Sequence, residues 1–399
     1  MHLIALIAGL ICCLAVALDA FQTIILPRRP AGRLRITRAF FILTWTPWRA
    51  LAPRIRNAKA REQVYSVYGP LSLLLLLLVW AMLLLLGFAL FFFAMGSPFA
   101  DAAHLEESAW LAHFGSDLYV SGTTLFTLGL GDVVPRIWAA RALIICESGV
   151  GLGLVALVIG YVPVLYQAFS RREVSVALLD ARAGSPPTST ELLRRHAFEG
   201  GDEALTALLA EWERWSAEIL ESHISYPILC YYRSQHDNQS WLSALVAILD
   251  SCALLISIME GTPARQAQLT FAMARHALID LGHVFHVEAK AKIAESRDDR
   301  LPAEEFAKLC EVLGDIGMRM CGDTASASRL RTIRVLYEPH AIALSEYLRM
   351  SLPTWIPEPN AKDQWRTIAK LRSEAEAVLQ AGGVVSVHAS AVRLHDVEH

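Results

Sequence analysis

The chain has 399 residues, of which 54% are hydrophobic and 19% are charged, and its mean hydropathy is +0.38. This composition is too apolar for an ordinary soluble protein and too charged for a chain that lies wholly in a membrane. The formal net charge is −3, which gives no reason to expect a nucleic-acid partner. We therefore expect membrane-spanning segments joined to a water-exposed part.

Three segments in the first 170 residues are apolar enough to span a membrane. Residues 71–95 carry no charged side chain and exceed the roughly 20 residues that a spanning helix needs. Residues 148–170 form a second uncharged run. The third segment, 3–26, is interrupted only by Asp19 and Gln22.

The N-terminal segment has two interpretations. Residues 3–14, followed by Ala15-Val16-Ala17, resemble a secretory signal peptide with its cleavage site. However, no Lys or Arg precedes this segment, whereas residues 28–61 hold ten of them and no acid. By the positive-inside rule, an uncleaved helix with an external N-terminus keeps the basic segment in the cytoplasm. We favour this helix, which predicts an integral protein of the cell (inner) membrane with a cytoplasmic C-terminal domain.

The basic segment 28–61 also contains apolar residues. Between residues 33 and 56, arginines alternate with two phenylalanines and two tryptophans. This pattern predicts a segment in the cytoplasmic membrane interface, with its cations on anionic lipids. A short buried helix is the alternative, since Pro47 and Pro53 interrupt a spanning helix.

The run Thr127-Leu128-Gly129-Leu130-Gly131-Asp132 is the most informative motif in the chain. A cation filter made of backbone requires successive carbonyl oxygens to point at one axis and replace the hydration shell of the ion. Glycine at every second position, free to take positive φ, meets this geometric need. A tight turn between two helices is the alternative. We favour the filter, because irregular backbone at membrane depth persists only where it lines a cavity or pore.

This motif resembles the pore loop of the potassium channel superfamily, and the resemblance covers about residues 68–170. It implies an outer helix, a pore helix over 111–126, a filter and an inner helix, in that order. It also implies a homotetramer, because the chain has one such loop and one loop cannot surround an axis.

The resemblance assigns roles to individual residues. The backbone carbonyls of the filter would bind K⁺, Asp132 would lie at the outer mouth, and Thr123 and Thr124 would support the pore. Leu130 stands where the commonest version of the family has Tyr, so a weakly selective cation channel remains an alternative. The implied filter residues are Thr127, Leu128, Gly129, Leu130 and Gly131.

The inner helix contains several small residues and a proline. Gly149, Gly151 and Gly153 predict a hinge, and Pro163 predicts a kink near the cytoplasmic end. Close helix packing is the alternative for the glycines. The candidate gate residues are Val162, Leu165 and Tyr166.

Glu147 precedes the uncharged run of the inner helix. A carboxylate near membrane depth is costly, which indicates a function. We expect it to brace the back of the filter or to pair with Arg141. An interfacial residue that reaches water is the alternative.

The second half of the chain has the periodicity of amphipathic helices, which predicts an all-α cytoplasmic domain. Residues 241–259 are nearly apolar, but the central Asp250 favours a buried soluble helix over a fourth span. His276, Asp280, His283 and His286 share one helical face. They are weak candidates for metal ligands, and polar residues of a helix surface are the favoured interpretation, so no metal is predicted.

We therefore predict an all-α membrane protein, a potassium-selective channel, with no enzymatic activity and no cofactor besides K⁺ in the filter. The sequence shows no nucleophile-base pairing and no phosphate-binding loop. A membrane-anchored sensory or binding protein with a vestigial pore is the alternative of a different class. The predicted parts are an N-terminal transmembrane helix (1–27), a basic interfacial segment (28–67), a pore domain (68–170), a linker (171–189) and a helical cytoplasmic domain (190–399).

Overall fold

The computed structural model describes residues 2–26, 35–101, 110–235, 239–258, 262–287, 299–315, 317 and 324–357. Within these residues the chain forms twelve α-helices and one two-stranded ribbon, so the predicted all-α fold is confirmed. The helices are α1 (His2–Ala20), α2 (Ile36–Leu51), α3 (Ala58–Ala94), α4 (Trp110–Leu125), α5 (Trp138–Ala183), α6 (Ser189–Arg195), α7 (Gly201–Ser225), α8 (Trp241–Ile258), α9 (Thr262–Val284), α10 (Ala303–Asp315), α11 (Thr324–Val335) and α12 (Glu338–Leu348).

Three helical segments of the described chain are long and apolar enough to cross a membrane, as predicted: His2–Ile25, α3 and α5. The first two pack closely, because both carry glycine at the crossing. A Cβ on Gly9 would lie 2.7 Å from the Gly87 carbonyl oxygen, and a Cβ on Gly87 would lie 2.7 Å from Cys13 Sγ. Glycine pairs of this kind let membrane helices approach each other to backbone contact.

Asp19 joins three elements near the end of α1. Its Oδ2 accepts hydrogen bonds from the Thr37 amide (3.0 Å) and hydroxyl (2.6 Å) and from Trp80 Nε1 (3.0 Å). Arg35 Nε lies 3.6 Å from Oδ1. A buried carboxylate is tolerated only with such partners, so α1, α2 and α3 are held in one arrangement.

Helix α2, which belongs to the basic segment 28–61, packs partly into the protein. One face packs into the protein: Trp45 is buried, its Nε1 donates to Tyr347 O (3.1 Å), and its ring lies 5.0 Å from that of Tyr231. The other face leaves Ile42 and Leu43 exposed. The packed face fits the interpretation as a buried helix, and contact of the exposed face with the membrane interface stays a prediction.

Two predicted boundaries differ from the observed helices. Helix α3 begins at Ala58, ten residues before the predicted pore domain, with Asn57 capping its first turn by accepting from Lys59 N (2.9 Å). Helix α5 continues to Ala183, so most of the predicted linker 171–189 is helical. The charged residues after position 170 end the apolar run, but they are good helix formers. The helix stops at Gly184, where φ is +87°.

The C-terminal helical domain is built around α8, which is buried on all sides against its neighbours. Asp250 in its centre pairs with Arg300, whose Nη2 lies 2.6 Å from Oδ2 and whose Nη1 lies 3.2 Å from Glu338 Oε1. Because the partners of the carboxylate come from the same domain, α8 is a core helix of this domain rather than a fourth span. Residues 358–399 lie outside the described part.

Candidate functional site

The loop that follows the pore helix has an alternating backbone. Thr127, Gly129 and Gly131 have φ of +57°, +57° and +76°, while the leucines between them do not take positive φ. An alternation in the sign of φ turns successive carbonyls to the same side, whereas an ordinary strand turns them to opposite sides. The loop therefore has the backbone geometry that a row of carbonyl ligands requires.

The last turn of α4 holds the start of this loop. The Thr123 carbonyl accepts from Leu128 N at 2.7 Å, and the Thr124 carbonyl accepts from Thr127 N at 3.0 Å. The Thr123 hydroxyl donates to Val120 O within the helix (3.0 Å). Carbonyls at a helix C-terminus lack helical partners and carry partial negative charge, so they both fix the loop and favour a nearby cation.

Asp132 is fixed at the end of the loop. Its Oδ2 accepts from Tyr119 Oη (2.7 Å) and its Oδ1 from Val133 N (3.1 Å). These bonds, the Tyr119 bond above all, lower the pKa of the exposed Asp132 carboxyl, which is therefore ionised at neutral pH. Tyr119 was not singled out from the sequence, where only its place on the pore helix marks it.

A short two-stranded ribbon lies beside the end of the loop, and its second strand directly follows Asp132. Strand β1 (Phe99–Asp101) pairs antiparallel with β2 (Val133–Pro135), with Phe99 opposite Pro135. The ribbon links the segment after α3 to the segment after the filter. Both ends of the filter loop are thus anchored, one to α4 and the other to this ribbon.

Glu147 is buried against the pore helix and does not reach solvent. Its side chain is fully buried in α5, and its Oε1 lies 2.5 Å from Ser121 Oγ on the pore helix. The same hydroxyl lies 2.9 Å from Leu85 O of α3. Arg141, the partner considered from the sequence, instead stacks on the Trp138 ring at 5.3 Å. Glu147 and Ser121 therefore connect the inner helix, the pore helix and the outer helix.

The glycines of α5 are not equivalent. A Cβ on Gly151 would lie 2.1 Å from the Leu125 carbonyl oxygen, whereas nothing lies within 4 Å of a Cβ on Gly149 or Gly153. Gly151 therefore permits backbone contact between the inner helix and the end of the pore helix. The helix itself is unbroken from Trp138 to Ala183, with Pro163 inside it.

The candidate gate residues separate into two groups. Tyr166 is 63% exposed and Val162 is 39% exposed on the single chain. Leu165, by contrast, is 2% exposed because it packs with Phe169 and Leu73. Leu165 is therefore a packing residue between α5 and α3, and the interpretation of it as a gate residue is wrong.

Arg172 connects the inner helix to the C-terminal helical domain. It is buried, and its guanidinium donates to Leu229 O and Tyr232 O, each at 2.9 Å. Its Nη1 lies 3.2 Å from His223 Nε2, and its Nε donates to Glu173 (2.9 Å). From the sequence this residue marks only the end of the apolar run, so its role as a connection was missed.

Acidification should destabilise this junction through His223. Burial first, and then the charge of Arg172, lower the pKa of His223 well below its ordinary value of 6.5. Below pH 6.5 the unfolded state therefore binds a proton that the folded state rejects, and the free energy of unfolding falls as pH falls, by up to about 1.4 kcal/mol per pH unit.

Unfolding of the full-length protein, followed between about pH 7.5 and about pH 5.5, measures this effect. His223→Gln keeps a hydrogen-bonding group without the titration, so its stability should depend less on pH. Equal pH slopes in the variant and the parent would contradict the assignment.

The four candidate metal ligands do not assemble a metal site. Asp280 is approached by His276 Nε2 at 3.4 Å and by His283 Nδ1 at 3.7 Å, both from exposed rings. His286 lies past the end of α9 with φ of +52°. Across the described part of the chain, no group of three or more His, Cys, Asp or Glu side chains is placed to hold a metal ion.

Comparison with known proteins supports the pore. A family described as "Ion channel" matches residues 78–167, the segment that holds the end of α3, the pore helix, the filter loop and most of the apolar part of α5. The "Uncharacterized membrane protein YdjJ" of Bacillus subtilis (strain 168) is 25% identical over 286 residues, which are 71% of this chain and 79% of that protein. The similarity to this relative thus extends well beyond the pore. No solved structure matches the chain.

The family match falls on the segment in which the sequence motif, the alternating backbone and the anchored pore helix occur together. The resemblance noted from the sequence is therefore confirmed. The chain is thus a membrane protein with three helices of spanning length, and its residues 78–167 match a family described as "Ion channel".

Proposed function

We propose that the protein is a potassium channel in which four copies place their filter loops around one axis. The observation that carries the proposal is the positive φ at every second residue, Thr127, Gly129 and Gly131. Five successive carbonyls, from Thr127 to Gly131, then replace the hydration shell of K⁺ ions in single file. The proposed activity is the permeation of ions alone.

Surface exposure on the single chain supports the tetramer. The filter loop is exposed along its length, with Leu128 at 63% and Leu130 at 62%. On α5, Ile145, Leu152 and Ile159 are also largely exposed, although they lie in an apolar helix. Irregular backbone in a membrane needs protein or a pore around it, and four loops supply both.

Charge and helix polarity favour a cation. The C-terminus of α4 directs its carbonyls toward the loop, and the ionised Asp132 lies at the opposite end of the filter. Both features attract positive charge and raise its local concentration. By the positive-inside rule, the basic segment supports an external N-terminus and a helical domain on the cytoplasmic side of the inner membrane.

The inner helix connects permeation with the cytoplasmic domain. Helix α5 runs without interruption from the back of the filter at Glu147 to the junction at Arg172. Tyr166 and Val162 lie between these points on an exposed face and form the gate. A movement of the cytoplasmic domain reaches the gate through the same rigid helix.

A weakly selective cation channel is the second candidate, and Leu130 favours it. The aromatic residue at this position in many members of the superfamily has a hydroxyl for hydrogen bonding behind the filter, which Leu lacks. A less braced carbonyl cage discriminates less between K⁺ and Na⁺.

Reversal potentials under opposed K⁺ and Na⁺ gradients in planar bilayers test the proposal. Gly131→Ala should abolish selective current, because an L residue at positive φ is strained by about 1–2 kcal/mol and the carbonyl turns away. Gly96→Ala is the matched control: Gly96 has φ of +83°, nothing lies within 4 Å of its Cβ position, and it lies outside the filter.

A potential near the K⁺ equilibrium value in the parent and in Gly96→Ala, lost in Gly131→Ala, supports the potassium channel. A potential near zero with current present indicates the weakly selective pore. Equal currents in all three proteins would show that ions do not pass along this loop.

A further inference from the structure

The segment that follows α12, residues 350–357, crosses the C-terminal helical domain without forming a helix or a strand. Helix α12 ends at Arg349, whose φ of +57° turns the chain away from the helix axis. Although the segment lacks regular structure, Trp355 within it is completely buried. We call residues 347–357 the strap, because its two ends are fixed to different parts of the protein.

The first end of the strap is fixed to the outer helix. Arg233 donates to Leu348 O at 2.7 Å and to Arg349 O at 2.9 Å. The same guanidinium lies 3.3 Å from the Glu62 carboxylate and 4.9 Å from the centre of the Tyr65 ring, and both residues belong to the first turns of α3. Because α3 is one continuous helix, the start of the strap is connected to the outer helix of the pore.

The second end of the strap is fixed to α6, the helix that follows the inner helix. The Trp355 carbonyl accepts from Thr190 Oγ1 (2.8 Å), from Thr190 N (3.4 Å) and from Ser189 Oγ (3.3 Å). Helix α6 is in turn bonded to the end of α5, because Arg195 donates to Ala181 O at 2.6 Å. The end of the strap is thus connected to the inner helix through α6.

The Trp355 side chain occupies a site that other residues hold in place. Its ring lies 5.7 Å from the guanidinium of Arg300 and 5.6 Å from that of Arg334. The buried Glu338 carboxylate lies 3.2 Å from Arg300 and 2.9 Å from Arg334, so it positions both guanidinium groups. In the described part of the chain, Trp355 Nε1 has no hydrogen-bond partner. The side chain is therefore held through its ring and not through its N–H.

The length of the strap limits how far its two anchors can separate. Six peptide units join Arg349 to Trp355, and a stretch of this length reaches at most about 20 Å when it is fully extended. A relative movement of α3 and α5 where they meet the C-terminal helical domain must therefore stay within this reach or pull Trp355 out of its site.

We propose that the strap is a clamp on gating, which restrains the outer and inner helices against each other while Trp355 is seated and frees them when Trp355 is released. This role rests on the proposed channel function, in which the inner helix carries the gate. A contact that is present in only one of two arrangements shifts the balance between them. The strap and both of its anchors lie outside residues 78–167, so the clamp is an addition to the segment that matches the ion-channel family.

Hydrogen exchange of the full-length protein measures whether the strap is docked. Trp355→Ala should speed exchange of the α6 amides at least about tenfold, because the loss of a buried aromatic side chain exceeds the roughly 1.4 kcal/mol that a factor of ten represents. Trp355→Phe keeps a ring and loses an N–H that has no partner, so its effect should be clearly smaller. Equal α6 exchange in Trp355→Ala and in the parent would overturn the docking of the strap.

A longer strap distinguishes a clamp from a segment that only fills the core. An insert of about six Gly and Ser residues after the exposed Ser351 adds up to roughly 20 Å of reach, while both anchors keep their side chains. We expect α6 to stay protected and the gating equilibrium in planar bilayers to shift by about fivefold or more, the lower end of usual couplings between distant sites. Ser351→Gly adds flexibility without length and should behave as the parent does.

The outcomes distinguish the clamp from the channel itself. An unchanged gating equilibrium in the protein with the insert would overturn the clamp and leave the strap as an ordinary core segment. Equal shifts with the insert and with Ser351→Gly would overturn the argument from length. Absence of current in the parent and in every variant would refute the proposed channel and the gating role of the strap, while hydrogen exchange would still show whether Trp355 docks it.

Discussion

Gly151→Ala should end ion conduction while the C-terminal helical domain stays folded. The added methyl group would lie 2.1 Å from the Leu125 carbonyl oxygen and 3.0 Å from its carbonyl carbon. Both are backbone atoms at the end of the pore helix, so no flexible side chain can yield. To restore an ordinary contact distance, the end of the pore helix must move away from α5 by on the order of 1 Å. The filter loop follows Leu125 along the chain, so it must move as well.

The neighbouring glycines provide matched controls. Within one subunit, nothing lies within 4 Å of a Cβ at Gly149 or Gly153, and alanine is favoured over glycine in a helix by about 1 kcal/mol. Gly149 shares the face of α5 that carries Ile145 and Leu152, which the proposed tetramer covers, so Gly153→Ala is the stricter control. Planar-bilayer currents of Gly149→Ala and Gly153→Ala should therefore remain. Loss of open probability in these two variants, with normal current in Gly151→Ala, would show that the glycines act as a hinge and that the packing argument is wrong.

The spanning helices and the filter loop are the parts of the structure that the sequence predicts most directly. Apolar length is a property of one continuous segment, so α3 and the apolar part of α5 are visible without any tertiary information. Alternating glycine is likewise a local signal, because only glycine adopts positive φ without strain. Thr127, which also has positive φ, carries no such signal and is held by the bond from its amide to Thr124 O.

The sequence does not predict which side chains on different elements contact each other. Tyr119 contacts Asp132 from a different element, and Ser121 meets Glu147 across the gap between α4 and α5. Nothing in the spacing of these residues distinguishes them from other polar residues of the same helices. The charge at Glu147 indicates that some partner is needed, but not which one.

Helix ends in membrane proteins are also poorly marked by hydropathy. The apolar run of α5 stops near position 170, whereas the helix ends at Gly184. A helix can continue beyond the membrane surface with charged residues. The end of an apolar run therefore marks the membrane surface, whereas a residue with positive φ marks the end of the helix. Arg172 lies between the end of the apolar run and the end of the helix. Because it belongs to the continuous helix α5, it can transmit movement along that helix.

Arg172→Met should weaken the connection between the C-terminal helical domain and the inner helix without changing ion selectivity. Methionine fills much of the same volume, but it leaves the buried carbonyl of Leu229 and the partly buried carbonyl of Tyr232 without their donor, at about 1–3 kcal/mol for the buried one. The turn Pro227–Tyr231, which holds the first carbonyl and ends just before Tyr232, should then open locally. Amide hydrogen exchange across this turn measures the change, and single-channel recording measures the open probability.

Arg171→Met is the control, because Arg171 is exposed while Arg172 is buried on the same turn of α5. Both variants remove one positive charge from the cytoplasmic end of the inner helix, so an effect through surface charge would be equal in the two. We expect faster exchange in the turn and altered open probability in Arg172→Met alone, with the reversal potential unchanged in both, because the filter lies at the opposite end of α5. A shifted reversal potential in Arg172→Met would instead show that the junction and the filter are one cooperative unit, and that the inner helix transmits strain to the carbonyls themselves.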